Sequence, residues 1–290
     1  MSTEADNPSG PPKAVRYPYH SLEDFLVAKM LTVDGEAEDG WNAGYPIKGR
    51  EIEASVLFAD ITGFSARTAD LDPTETLAFV NHFFTWVSAE ALRGRPGIVD
   101  KYIGDEIMVV FSKEFGSVDP FIDAVRTARW MGENDVFAFL PHVGIASGRV
   151  IVGYVGTPLK YSCSIYGAPV AVAARCAAVQ PTCEGFVSSY MTFPADEWEE
   201  RQFDKVFPPK RYREPDDSIV EGPHSWELTE STSVEFKNLG ETEIRQVVRR
   251  AGWAPGQSAE DRAREIGGLL TKAGRRWHPP DQQQERGNPR

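Results

Sequence analysis

Apolar residues along the chain alternate between two spacings, and the changes of spacing mark the elements. Ser55 to Ala59 is a short apolar run of the kind that forms a buried strand. A helix is predicted next. Asp72 can cap it, Pro73 fits its first position and Glu75 completes a capping box, after which Leu77, Val80, Phe84 and Val87 recur at helical spacing until Gly94 and Pro96 stop it. The stretch GIVDKYIGDEIMVVF (97–111) gives two β-rich runs around Gly104-Asp105, a hairpin signal. A second helix is predicted from Asp119-Pro120 through Phe121, Ala124, Val125 and Ala128, and HVGIASGRVIVGYVG (142–156) repeats the hairpin logic around Ser147-Gly148. The order strand, helix, strand, strand, helix, strand, strand is the βαββαβ pattern of a ferredoxin-like α+β sandwich. It predicts an antiparallel sheet with helices on one face.

The flanks differ in texture. Residues 1–14 and 251–290 are polar, rich in Pro, Gly and Gln, and aperiodic, which predicts disordered tails. Residues 15–50 hold Tyr17, Tyr19, Leu22, Phe25 and Leu26, enough apolar surface to pack as a short helix, and a Gly-rich link then leads to the organised region, 51–250. A formal charge of −12 without a central Lys/Arg cluster argues against nucleic acid or an anionic membrane as partner. Three cysteines without metal spacing fit a reduced, cytoplasmic protein. Neither a signal peptide nor a spanning run of about 18 apolar residues is visible.

Chemistry is concentrated in two acids. In the predicted topology Asp60, at the end of the first strand, and Asp105, at the hairpin tip, converge. Such a pair repels unless a cation lies between its members, so it favours Mg²⁺ or Mn²⁺ bound by oxygen ligands and substrate phosphates. Taken singly, each Asp fits an ordinary turn. Thr62, Gly63 and Phe64 follow Asp60 immediately before a helix, where backbone donors can receive a triphosphate. Neither a GxxxxGK[ST] nor a GxGxxG motif is present at that segment.

Four ordered segments, FADITGFS (58–65), KYIGDEIMVVF (101–111), HVGIASGRVIVGYVG and SIYGAPVAVAARCAA (164–178), resemble the class III nucleotide cyclase catalytic domain, the family of adenylate and guanylate cyclases. VEFKNLGETEIRQVVRR (234–250) resembles the family's closing hairpin. The resemblance implies that Asp60 and Asp105 bind two divalent cations, Mn²⁺ or Mg²⁺, with the backbone carbonyl of Ile61. It further implies that Lys101 and Ser164 read the base and that Arg175 steadies charge on the transferring phosphate. Lys160 occupies a usually basic position, and either Lys237 or Arg245 contacts the triphosphate. The family works as head-to-tail dimers with shared sites, so a homodimer is implied, with the metal aspartates from one subunit and Arg175 and Lys101 from the other.

Two departures bear on the substrate. Ala171 replaces the asparagine that usually orients the ribose, four residues before Arg175 and on the same helical face. This keeps open a degenerate homologue that binds nucleotide or dimerises without turnover. At the base-reading positions, donor-only Lys101 beside Ser164 suits a carbonyl next to an N–H, as uracil presents. Stand-alone cyclases with altered base pockets resemble the bacterial pyrimidine cyclases of antiphage defence, so the expected reaction is UTP to cyclic UMP, read by a separate receptor. Adenylate cyclase is the alternative. Tyr102 and Tyr166 are candidates for the pocket wall or for simple packing.

Overall fold

The computed structural model describes residues 18–249 apart from 39–43, 136, 138, 158–159, 184–186, 199–202, 210, 214–217 and 222–224. Both expected tails, 1–14 and 251–290, lie outside the described residues.

A long strand organises the molecule. β2 (Gly44–Asp60) pairs antiparallel with β1 (Val33–Glu38), with β4 (Glu106–Phe111) and, along Gly49 to Asp60, with β5 (His142–Thr157). β3 (Gly97–Ile103) completes the edge beyond β4. On the other side β5 pairs with β6 (Lys160–Tyr166) and, in parallel, with β7 (Ser189–Pro194). Beyond β7 lies β12 (Gly240–Arg249), flanked by β10 (Trp226–Leu228) and β11 (Thr232–Phe236), while β8 (Arg211–Arg213) and β9 (Ile219–Glu221) form a separate ribbon.

β2 is apolar on both sides, and this determines the layers. Leu57 and Ala59 face a first core built with α3 (Pro73–Trp86) and α4 (Pro120–Asn134), including Phe79, Phe83, Val125 and Ala128. Ile52, Ala54, Val56 and Phe58 face a second core with α1 (Leu22–Ala28) and α5 (Ala168–Ala177). The expected α+β fold with a mostly antiparallel sheet is present, but helices cover both faces rather than one. Full burial of side chains such as Phe25 contributes about 1.5–3 kcal/mol each, which is what makes the second layer worthwhile.

The predicted caps form. Asp72 accepts from the Glu75 N–H at 2.8 Å while the Glu75 carboxylate accepts from the Asp72 N–H at 3.0 Å, and Asp119 accepts from the Ile122 N–H to start α4. The expected hairpin at Ser147-Gly148 does not. β5 runs straight through it, with Ser147 opposite Ser55 and Gly148 opposite Ala54. Gly148 has φ +144°, so it supplies a local twist inside the strand and not a reversal. The reversal comes later, where Thr157 pairs with Lys160. The short helices α2 (Phe64–Thr68) and α6 (Phe203–Val206) complete the elements.

Candidate active site

Asp60 is the last residue of β2, one step beyond the Ala59–Ile107 pair that holds β2 to β4. Asp105 follows Gly104, whose φ of +65° allows the tight turn between β3 and β4. Burial and the charges of Asp105 and Glu106 push the Asp60 carboxyl up to about 7. Burial also raises Asp105, and burial with the Asp105 charge raises Glu106. Glu106, which the sequence reading missed, makes this a three-acid neighbourhood. No signal in KYIGDEIM alone marked it, because only the pairing of β2 with β4 brings it beside Asp60.

On its β5 side Asp60 faces neutral groups. His142, its register partner on β5, is held down to about 4 by burial, and its ring packs 4.7 Å from that of Tyr190. Burial and the Asp60 charge raise the Tyr190 hydroxyl. The Ile61 side chain is buried, and its carbonyl accepts from the Phe64 N–H at 3.2 Å, which leaves a second lone pair. Gly63 has φ +63° and leads into α2. The Thr62 hydroxyl donates to the Leu140 carbonyl, so it serves the loop rather than pointing freely outward. Phe64 stacks on Phe79, ring centroids 6.4 Å apart.

This donor set fits Mg²⁺ or Mn²⁺. Two half-buried carboxylates, the Asp105 charge opposing ionisation of Asp60, are hard oxygen donors whose anionic forms a divalent cation would favour. Among the described residues no group of three or more His, Cys, Asp or Glu is arranged to hold a metal.

The two positions expected to read the base meet at a second place. Lys101 and Ser164 are brought together, and between them lies Asp100, which the sequence reading passed over. The Ser164 hydroxyl donates to Asp100 Oδ2 at 2.7 Å, and Lys101 Nζ lies 3.3 Å from the same oxygen. Lys101 Nζ also sits 5.9 Å from the Tyr166 ring. Tyr102 instead stacks on Phe84 at 4.3 Å, with its hydroxyl 3.3 Å from Ser88 Oγ, so it packs against α3.

Arg175 and Ala171 lie on the exposed face of α5, and Arg175 makes no ion pair among the described residues. α5 sits very close to the sheet: a Cβ on Gly144 would lie 2.0 Å from the Ala173 carbonyl oxygen. Lys160 opens β6 and Lys237 lies in the turn between β11 and β12, both exposed, while Arg245 is on β12 beside Phe193. Within one chain these cations are not gathered onto Asp60 and Asp105.

The mostly antiparallel α+β domain thus carries paired acids at a strand end and, apart from them, the cluster of Asp100, Lys101 and Ser164. Residues 48–189, just under half of the chain, match the model of the Adenylate and Guanylate cyclase catalytic domain. The uncharacterized proteins Rv1320c and Rv1318c of Mycobacterium tuberculosis are each 30% identical to 44% of this chain, over 23% and 24% of their own lengths. The chain thus spans about a quarter of the curated relatives it matches. The solved structure of the adenylyl cyclase CyaB from P. aeruginosa shares the fold, with a TM-score of 0.51 at 16% identity over 72% of this chain and 99% of that one.

Proposed function

We propose that the protein is a nucleotide cyclase that converts a nucleoside triphosphate into its 3′,5′-cyclic monophosphate and pyrophosphate. The observation that carries this reading is the half-buried Asp60–Asp105 pair at the end of β2 and the β3–β4 turn, with Thr62 and Gly63 following Asp60 in sequence. In the reaction the ribose 3′-oxygen attacks the α-phosphorus in line. A bond from that oxygen to phosphorus forms, the bond to the bridging oxygen of the β-phosphate breaks, and the hydroxyl proton leaves to solvent. Two divalent cations held by Asp60, Asp105 and the Ile61 carbonyl would acidify the hydroxyl and neutralise the departing pyrophosphate. Arg175 stabilises the charge that grows on the phosphoryl oxygens, and Lys160 and Lys237 bind the triphosphate. Because Arg175 is exposed and makes no ion pair among the described residues, the reading includes a head-to-tail homodimer in which it serves the partner's aspartates.

The proposed substrate is UTP. Lys101 donates to a uracil carbonyl while Ser164, whose proton goes to Asp100, accepts from the ring N–H. Cyclic UMP would act as a messenger for a separate receptor in antiphage defence, the role carried by the resemblance to pyrimidine cyclases. One observation favours a second substrate: the same donor and acceptor also match N1 and the amino group of adenine. The test is incubation with Mn²⁺ and each of the four nucleoside triphosphates, with products identified by mass spectrometry. Cyclic UMP as the main product supports the reading, cyclic AMP alone replaces the substrate, and no cyclic product from any base overturns the activity in favour of a nucleotide-binding or dimerising homologue, to which Ala171 points.

A further inference from the structure

We infer that Asp100 is a positioning residue of the base pocket, which sets the hydrogen-bonding polarity of Ser164 and anchors Lys101. The inference rests on the cyclase reading and deepens it.

The β3–β4 ladder shifts register at Asp100. Val99 pairs with Val109, yet Lys101 pairs with Met108, so Asp100 is the extra residue of a β-bulge. The shift has a direct consequence for Lys101. Val99 and Val109 belong to the first core, under α3 and α4, and an unbroken strand would place Lys101 on that same side, two residues on. With the bulge, Lys101 is in register with Met108, which lies in the second core on the side of α5 and β6. An ammonium that would otherwise confront a hydrophobic layer is thereby turned toward Ser164.

Asp100 then ties the two readers together. Its side chain is 1% exposed, and a single oxygen, Oδ2, receives both the Ser164 hydroxyl and the Lys101 ammonium. A carboxylate accepts only, so the Ser164 proton is committed to it, and toward a ligand Ser164 offers lone pairs alone. Burial opposes ionisation of Asp100, while Ser164 and Lys101 favour it, so the three groups stand or fall as a unit. Around Asp100, Lys101, partly exposed, is left as a donor and Ser164, 1% exposed at the floor of the cluster, as an acceptor, an arrangement set before any nucleotide arrives. Asp100 touches neither base nor phosphate in this account. It acts through its two neighbours.

Asp100→Asn separates this role from simple support of the fold, because the amide keeps the shape but loses the charge and gains donors that can reverse the Ser164 hydroxyl. The measurement is kcat/KM of the full chain for each of the four nucleoside triphosphates with Mn²⁺, for wild type, Asp100→Asn, Ser164→Ala and the double variant, with melting temperatures alongside. The expected result is a loss of about tenfold or more in the ratio between the preferred nucleotide and the next, carried mainly by KM, as expected when about 1.4 kcal/mol of base discrimination is lost. In the Ser164→Ala background the same change should alter the ratio much less, since the two residues act together. If Asp100→Asn lowers all four nucleotides by one common factor, or adds fully to Ser164→Ala, the residue only supports the fold and the inference is overturned. If wild type shows no turnover of any nucleotide, the cyclase reading fails and takes this inference with it. Should Asp100→Asn fail to fold, Asp100→Ala and Asp100→Glu give the comparison: loss of the ratio in the Ala variant with recovery in the Glu variant upholds the role, and loss of all four nucleotides by one common factor in both contradicts it.

Discussion

The tip and the middle of the β3–β4 hairpin handle negative charge in opposite ways. At the tip, Asp60, Asp105 and Glu106 are half-buried near one another; burial lifts all three pKa values, and repulsion from neighbouring acids adds to the rise at Asp60 and Glu106. In the middle, Asp100 is equally withdrawn from solvent but is met by a hydroxyl at 2.7 Å and an ammonium at 3.3 Å from its own chain. The second cluster is electrostatically complete within one chain. The first carries negative charge with no cation among the causes of its pKa shifts, and on the proposed reading it is the part that depends on bound cations and a second subunit, while base recognition is set within one chain.

The contrast can be broken by substitution. The largest effect is expected from Asp60→Ala and Asp105→Ala, each of which should cut cyclic nucleotide production by about 10³-fold or more while the protein stays folded, given several kcal/mol of metal assistance. Near-normal activity of either variant would falsify the two-metal assignment. A smaller effect follows for Glu106→Gln. If Glu106 supplies field rather than direct ligation, the Mn²⁺ concentration for half-maximal activity should rise by about tenfold, with the maximal rate changed much less.

The smallest effect has the opposite sign, and it concerns stability. In metal-free protein, Asp60→Asn should raise the melting temperature by about 2–4 °C at pH 8, the yield of roughly 1 kcal/mol in a domain of this size. The pH dependence follows from a folded-state value of about 7 against 3.8 for the free group. Below 3.8 both states hold the proton and Asp60 costs nothing. As pH rises toward 7 the unfolded chain ionises first, so wild type loses stability relative to the variant, and the loss is complete above 7. Differential scanning fluorimetry with EDTA across pH 5–8 should show the gap opening with pH, and a constant gap would contradict the repulsion.

How much of this was legible in the sequence depends on how local each cause is. Asp72, Pro73 and Glu75 announce α3 within four residues, and the φ > 0 turn at Gly104 announces the β3–β4 hairpin, so both were readable. Ser147-Gly148 looked like a turn by the same logic, but its neighbours Ala54 and Ser55 pair across it and carry β5 straight on. That is a tertiary override of turn chemistry. The second helical layer was hidden because an apolar run such as Ser55–Ala59 does not say how many of its faces will be covered. Asp60 and Asp105 were legible as a pair, and Glu106 was not, since its role depends on the β2–β4 register. Asp100 was the hardest to see. Alternation read through IVDKYI assigns it to an ordinary strand face, and only the bulge shows that it stands between Lys101 and Ser164.

The central claim is that the carboxylate tip of one chain is completed by Arg175 of another. Mixing an Asp60→Ala chain with an Arg175→Ala chain, each inactive alone, tests it most directly. Random pairing of the two should restore roughly a quarter of wild-type activity, since about half of the dimers carry one intact site of two. Two well-folded, exchanging chains that regain no activity would contradict the shared site.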